Sequence, residues 1–527
     1  EANFTAFNFI LDKSSSTSGK LLYCDNFEFY TNKHQQLLYS KDIILNMDSI
    51  RLSTTDSIIQ LKGVELHPED TIRDIKTAQP GEYLDANVKS VEVKGVYFKR
   101  EKSLNYLKAR LFEILSTNIK YHNIQAAQDN LKKDTIDGDW SLYDIISPIL
   151  NSISIDRIAI EKTKFDYSLT KDNNTDIYSI EKFDFHANNF LINALSEKYK
   201  KFWYVDNFAL SGNKINGLSP TNNSNLKIDN LILNTNEKIF NIKQISITPI
   251  SEKIPKDYVK GYISEIDING LNYDNGISAD HLLIDTADIE YFKVKNRNIK
   301  HQNKNEDVLD LLLPYSKYLS VKDIRLNNAT ISYFNKQSKD TLAIKDFKFY
   351  ASDFLIDENT RKSSKYVFTC DDIGFSFRDF DNLLPGKGYR LQIENVKTST
   401  QSGELSFEGL RLIPQNKVIS KQVYYDLSIP FFRLTGFEND TYINKNKIKF
   451  DLLTVNSPTI YITEKKGQKG TKEEENKILN LFNSIETNNI NLSDINLNYR
   501  DISSKDSLNI RWDSLRVNSL KWAINEN

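Results

Sequence analysis

The stretch LAIKDFKFYASDFLID (Leu342–Asp357) decides the fold class, because the chain repeats it in similar form. Related stretches read NFTAFNFILD around Phe9, IEKFDFHANNFLIN around Phe190 and WDSLRVNSLKWAIN around Trp522. The anchor residues Phe9, Phe190, Phe354 and Trp522 are separated by 181, 164 and 168 positions. Self-similarity at a nearly constant period is typical of repeat architectures, so the sequence predicts an array of related modules.

Composition indicates a folded, strand-rich protein. Lys+Arg 69 nearly balance Asp+Glu 71, and this balance argues against a nucleic-acid-binding protein, which would need a basic surface. The sequence has 29 Phe and 27 Tyr residues but a single Met, and this enrichment in aromatic residues favours strands over helices. The sequence has no run of about 18 apolar residues, the length that a membrane-spanning helix needs.

Short segments between the anchors alternate apolar and polar residues and stop at Asn, Asp, Gly or Pro. The segments IIQLKGVELHP, IFNIKQISITP and ELSFEGLRLIP, for example, end at Pro68, Pro249 and Pro414. A glycine also recurs at the equivalent position of each repeat, as Gly95, Gly270 and Gly436. This pattern predicts antiparallel strands with one face in water.

Each repeat ends in a charged loop followed by a predicted short helix. Each helix has a one-sided apolar stripe; the stripes are Leu142, Ile145, Ile146 and Ile149, then Val308, Leu311, Leu312 and Tyr315, then Ile478, Leu481, Phe482 and Ile485. The period divides the chain into a partial first module (1–138), a second (139–304), a third (305–472) and the start of a fourth (473–527). Because the chain enters and leaves the repeat at nearly the same phase, we expect a fragment of a longer array.

An apolar face that runs the length of such an array would aggregate if it were flat and exposed. The predicted fold is therefore all-β with a few short helices, an elongated repeating antiparallel β-sheet curled into a hydrophobic groove. The curled sheet is either packed dry or open, and an open groove must hold something apolar.

The order of elements resembles the AsmA/TamB superfamily of Gram-negative envelope proteins. The resemblance runs from Pro458 through INLSDINLNYRD to Trp522, and again from Leu309 through VKDIRLNNATISYF to Phe354. It covers nearly the whole chain as a pattern and includes no catalytic motif. It implies a bridge-like lipid-transport protein in the periplasm, anchored to the inner membrane through a segment absent from this chain, with a repeating β-groove that carries phospholipid toward the outer membrane.

The candidate lipid-binding residues are inward-facing apolar positions of the repeated strands. They are Phe4, Phe9, Phe185, Phe190, Ile192, Phe208, Leu231, Ile245, Ile268, Phe349, Phe354, Ile356, Phe375, Leu410, Leu434 and Trp522. The six histidines lack metal-ligand spacing, and the sequence has no P-loop, nucleotide-binding glycine motif or G-x-S-x-G elbow. Because these motifs are missing, we predict no catalytic residues, no metal and no cofactor. Cys24 and Cys370 occupy matching positions of different repeats, so we also predict no disulfide between them.

Two functions of different kind follow. The first is a non-enzymatic conduit for phospholipid or another acyl lipid between the inner and outer membranes, important for outer membrane biogenesis. The alternative is an envelope structural or assembly protein that binds an outer-membrane protein or partner subunit through exposed sheet edges. A surface adhesin fits less well, because the module lacks the period near 100 residues of a compact sandwich.

Overall fold

The computed structural model describes most of the chain between the charged loops. The described residues are 2–12, 24–38, 43–68, 81–101, 104–124, 150–171, 174–196, 204–218, 224–250, 257–273, 276–294, 317–337, 339, 341–357, 359, 369–384, 388–415, 423–437, 447–464 and 484–523.

The fold is all-β, as the sequence predicts, with 85% strand and 1% helix. The strands in chain order are β1 Ala2–Phe7, β2 Asn26–Leu38, β3 Ile43–Ser53, β4 Ile58–Pro68, β5 Gly81–Lys94, β6 Tyr97–Glu101, β7 Leu104–Ile124, β8 Ser152–Lys171, β9 Asn174–Asn193, β10 Asn207–Leu218, β11 Ser224–Asn234, β12 Ile239–Pro249, β13 Tyr258–Asn269, β14 Asn272–Tyr273, β15 Ile277–Lys293, β16 Tyr318–Asn335, β17 Thr341–Asp357, β18 Asp372–Leu383, β19 Tyr389–Ser399, β20 Glu404–Pro414, β21 Val423–Thr435, β22 Lys447–Asn456, β23 Thr459–Glu464, β24 Ser484–Asp501 and β25 Ser507–Ala523.

Two compact units make up the chain, Glu1–Gln244 and Ile245–Asn527, and their boundary falls within β12. In the first unit each long strand from β1 to β11 pairs with the next long strand, and β6 is a short addition at the end of β7. In the second unit the order from β13 to β21 also follows the chain, after which β22 and β23 both lie between β21 and β24. Strand β25 completes it by pairing with β24.

The sheet is mixed, which corrects the expectation of a purely antiparallel one. Strands β7 and β8 are parallel, as are β15 and β16, and as are β22 and β23 with β24. The connections 125–151, 294–317 and 465–483 contain the charged loops. A parallel pair needs a crossover of about a dozen residues or more, and these connections have that length.

Eight strands separate equivalent members of the repeat, so β1, β9, β17 and β25 correspond. Strands β4, β12 and β20 end at Pro68, Pro249 and Pro414, as predicted. The glycine kept in step directly follows β5, β13 and β21 and has a left-handed φ each time, +66° at Gly95, +70° at Gly270 and +69° at Gly436. Only glycine adopts this conformation without steric cost, which explains its recurrence.

The predicted helical stripes 142–149 and 308–315 lie outside the described residues, as do 478–482 of the third stripe. Ile485, the last member of that stripe, is a strand residue of β24 and pairs with Ile448 and Trp522. The prediction that Ile485 is helical is therefore wrong. Both cysteines are free thiols, and Cys24 is buried as a small apolar side chain.

Candidate functional site: an apolar sheet face

Strands that contact one another extensively within the described ranges are neighbours in the sheet. The two apolar clusters are likewise built from neighbouring strands, β8 to β11 in the first unit and β17 to β20 in the second. An apolar face in this setting is a candidate binding surface.

Each long strand has an interruption at which its hydrogen-bonded register skips a residue. Many of these positions have a left-handed backbone, including Lys33 (φ 52°), Lys162 (φ 56°) and Asp379 (φ 52°). Skipped residues of neighbouring strands lie side by side, and we call each such row a kink line. The first kink line contains, in the first unit, Lys33, Asp48, Gly63, Lys89, Ser116, Lys162, Lys214 and Asp229, and in the second unit Asp379, Glu394, Gly409 and Pro430.

A second kink line repeats nearer the other end of the strands. It contains Arg110, Asp156 and Asn189 in the first unit, and Asp280, Lys322 and Asp353, then Asp451, Asn488 and Ser519, in the second. In the first of these rows Asn189 has a φ of 56°, and in the second Asp353 has a φ of 49°. Neither kink line follows from the alternation of apolar and polar residues in the sequence.

The kinks keep the apolar side chains on one face. In β18, Phe375 and Phe377 precede the kink at Asp379 and Phe380 follows it, yet all three belong to one cluster. The rings of Phe377 and Phe380 lie 5.9 Å apart between centroids. Strict alternation would place Phe377 and Phe380 on opposite faces, so the skipped residue restores the phase.

In the second unit the apolar cluster spans four neighbouring strands, β17 to β20. Phe380, Ile393 and Val396 are buried at its centre. Its half-buried members are Leu342, Ile344, Phe375, Phe377, Leu391, Leu405, Phe407 and Leu410. The apolar face extends beyond the cluster along successive cross-strand pairs. Leu391 of the cluster pairs with Leu412, and the row of paired residues then continues through Leu427, Ile460, Leu497 and Ile510.

The first unit has a matching cluster around β8 to β11. Ala187, Val205 and Phe208 are buried at its centre, and Phe185 and Phe190 pack against it. The rings of Phe185 and Phe208 lie 6.1 Å apart. Ala187 and Phe190 lie on either side of the kink at Asn189, so the second kink line preserves the apolar face in the same way as the first.

Between β18 and β21 the opposite face carries charged pairs. On β18 and β19 the Arg390 guanidinium donates to Asp381, with an Nη2–Oδ2 distance of 2.6 Å. Arg433 Nη2 donates to Glu404 Oε2 at 2.8 Å. Arg390, Asp381 and Arg433 are exposed and Glu404 is partly exposed, so these ion pairs add little stability and mainly mark the face that contacts water.

The sequence-predicted site residues fall into three groups by exposure. Ile192, Phe208, Ile245, Ile356 and Leu434 are buried. Phe185, Phe190, Leu231, Ile268, Phe349, Phe354, Phe375 and Leu410 are half-buried. Phe4 and Phe9 are exposed, and the side chain of Trp522 lies outside the described residues. Phe185, Phe190 and Phe208 meet in one cluster, and Phe375 and Leu410 meet in the other; their role in binding stays a prediction.

The register corrects one anchor of the repeat. Phe190 pairs with Ile155 on β8, and Phe354 pairs with Val321 on β16. On β24, Thr487 occupies the position that Ile155 has on β8 and Val321 has on β16. Thr487 pairs with Leu520, so Leu520 and not Trp522 is the equivalent of Phe354. Trp522 resembles Phe354 because both are aromatic, but Trp522 lies two residues beyond the position that corresponds to Phe354 in the strand register.

No group of His, Cys, Asp and Glu side chains within the described ranges has a metal-binding arrangement. Across those same ranges, no helix is long and apolar enough to span a membrane.

Comparison with known proteins assigns no family. The chain matches no protein-family model and no curated protein. Among solved structures it is similar to one described as "Crystal structure of Sex pheromone staph-cAM373 precursor", with 10% sequence identity over 52% of this chain and 78% of that chain. The TM-score is 0.08, and a likeness that weak carries no argument about fold or function.

Proposed function

We propose that this chain is a segment of a non-enzymatic conduit for phospholipid or a similar acyl lipid. Acyl chains lie against the apolar face, and head groups reach water. In the setting that the AsmA/TamB-like sequence pattern suggests, the conduit works in the periplasm between the inner and outer membranes. The observation that carries the proposal is the pair of apolar clusters on neighbouring strands, whose side chains stay on one face past the kinks at Asn189 and Asp379.

The energetics favour a lipid as the occupant of such a face. Moving an acyl chain from a bilayer into water costs about 0.8 kcal/mol per CH₂, or about 8 kcal/mol for ten methylenes. An apolar strip that takes the place of the bilayer removes most of this cost. Rows of Leu, Ile and Phe offer many similar sites and no single deep pocket, so a lipid can shift along the face without a large barrier.

Lipid extraction from the detergent-free purified chain tests the proposal first. We expect phospholipid to co-purify at a reproducible ratio to protein. A phospholipid with a photoreactive acyl chain then maps its position, and we expect labelling of Phe375 and Phe377 on the apolar face. Ser376 and Arg378 alternate with them on the opposite face and serve as controls within the same strand.

Absence of phospholipid from the purified chain would overturn the conduit, and so would equal labelling of both faces. Either result would leave the alternative, an envelope structural or assembly protein that pairs through sheet edges. That alternative requires no acyl contact with Phe375 or Phe377.

A further inference from the structure

Tyrosines gather near one end of the apolar face, at the end of the strands close to the β8–β9 hairpin and its counterparts. In the second unit the rings of Tyr291 and Tyr333 stack with centroids 5.9 Å apart and an angle of 19° between planes. Tyr333 pairs across the ladder with Leu342, a member of the apolar cluster. The stacked tyrosines therefore lie on the apolar face and not on the charged one.

The other repeats place tyrosine at the same position in register. In the first unit Tyr121, Tyr167 and Tyr178 stack in succession, with centroid distances of 5.8 and 5.7 Å. On β24, Tyr499 follows Leu497 of the apolar row by two residues. The three tyrosine rows are Leu84, Tyr121, Tyr167 and Tyr178; Val259, Tyr291, Tyr333 and Leu342; and Tyr425, Ile462, Tyr499 and Leu508.

A carboxylate accompanies a tyrosine of each row. The Tyr291 hydroxyl donates to Asp257 Oδ2 at 3.0 Å, and the Tyr499 hydroxyl donates to Glu464 Oε2 at 2.6 Å. Tyr121 likewise donates to Glu82. Each row thus combines aromatic rings, phenol hydroxyls and a negative charge where the apolar face ends.

The electrostatic surroundings of these phenols are acidic. Burial, and then the hydrogen bond to Glu82, raises the pKa of Tyr121 to about 12. The hydrogen bond to Glu464 is the main reason why the pKa of Tyr499 rises to about 12, and Asp501 and Asp506 add to the effect. The phenols therefore stay neutral at physiological pH, and the charge that surrounds them is negative.

We infer that the tyrosine rows are head-group subsites that favour phospholipids with an ammonium group, such as ethanolamine head groups, over purely anionic ones. The inference rests on the proposed conduit function. A tyrosine ring at the boundary of an apolar face packs against acyl carbons and turns its hydroxyl to water. An ammonium group is attracted by the ring faces and by the carboxylate, whereas an anionic head group meets the carboxylate's repulsion.

A competition experiment with the full chain tests the inference. The probe is vesicles of phosphatidylethanolamine and phosphatidylglycerol, mixed in equal amounts and carrying identical acyl chains, and the readout is the ratio of the two lipids extracted with the repurified protein. We expect phosphatidylethanolamine to be enriched about two- to fivefold over its share in the vesicles.

The triple variant Glu82→Gln, Asp257→Asn and Glu464→Gln should bring the ratio back toward one while total bound lipid stays the same. The control Glu161→Gln, Glu290→Gln and Glu408→Gln removes the same charge from the opposite face and should keep the enrichment. An unenriched ratio in the native chain, or equal loss in both triple variants, would overturn the head-group subsites and leave the conduit intact. Absence of both lipids would instead overturn the conduit itself.

Discussion

Asp372 shows how one residue secures the turn between β19 and β20. Its Oδ1 accepts hydrogen bonds from the backbone N–H of Gln401 at 2.8 Å, from Thr400 Oγ1 at 2.9 Å and from Ser399 Oγ at 3.1 Å. The neighbouring Thr400 Oγ1 accepts from the N–H of Ile373 at 2.8 Å. The other repeats keep that threonine, because Phe27 N donates to Thr54 and Phe208 N donates to Thr235 in the same way.

The pKa of Asp372 is lowered from its ordinary value of 3.8. Burial, the largest single influence, raises it, but the hydrogen bonds from Gln401, Thr400, Tyr350 and Ser399 together outweigh burial because they favour the ionised form. A carboxyl whose pKa is lower in the folded state stabilises the fold above its unfolded pKa. That contribution is lost as the pH falls through the folded pKa, below about 3.8.

We therefore predict that Asp372→Asn lowers the free energy of unfolding by about 1 kcal/mol at pH 7, since the charge-assisted part of these hydrogen bonds disappears. Asparagine is compatible with the position, because Asn26 and Asn207 occupy it in the other repeats. The difference in thermal midpoint between the native chain and the variant, measured from pH 7 down to pH 3, should narrow below pH 4. A constant difference over this range would contradict the assigned role of the ionised carboxylate.

At the scale of the element, alternation was predictable from the sequence, whereas the kinks and parallel pairs were not. Strands ending at Pro68, Pro249 and Pro414 follow from local residue preferences, which each segment carries by itself. A kink such as the one at Lys162 leaves no such local mark, because lysine has no preference for a left-handed backbone. It becomes visible only when apolar residues spaced by three, such as Phe377 and Phe380, are found on one face.

The parallel pairs are consistent with one feature of the sequence. The composition of the long connections predicts charged loops and short helices, and their length also suits a crossover between parallel strands. The candidate site was predictable only in part. Inward residues such as Phe185 and Phe375 follow from the alternation of apolar and polar residues. The tyrosine rows do not, because they depend on the register between strands far apart in sequence, such as Tyr121 with Tyr167.

A proline scan of β5 tests the first kink line. Lys89 is skipped in the ladders with both β4 and β7, whereas its neighbour Ser90 pairs with Lys62 and with Leu115. Proline lacks a backbone N–H and is tolerated in a sheet only where the ladder is interrupted. The chain already has Pro430 at the equivalent position of β21.

We predict that Lys89→Pro leaves the thermal midpoint nearly unchanged, while Ser90→Pro lowers it strongly and reduces the strand signal in circular dichroism. Lys89→Ala and Ser90→Ala control for the loss of each side chain. If both proline variants unfold alike, the backbone at Lys89 makes ladder hydrogen bonds that the skipped register does not suggest.

At the scale of the whole molecule, a conduit differs from a set of independent binding sites in how it responds to damage. Independent sites work in parallel, so the loss of one lowers binding by its own share and leaves the others. Positions along a conduit work in series, so one barrier stops movement through all of them. A charged side chain on the apolar face is such a barrier, because an acyl chain cannot offset the hydration that the charge would lose.

Phe185→Asp in the first unit and Phe375→Asp in the second provide the test. Each variant should keep most of the co-purified phospholipid, yet each should reduce transfer between donor and acceptor vesicles, tethered to the two ends of the chain, by tenfold or more. His186→Asp and Ser376→Asp place the same charge on the opposite face of the same strands and should leave transfer unchanged. Circular dichroism and the thermal midpoint identify any variant that fails to fold. Loss of bound lipid in proportion to loss of transfer would mean that the apolar faces store lipid at separate sites and do not conduct it.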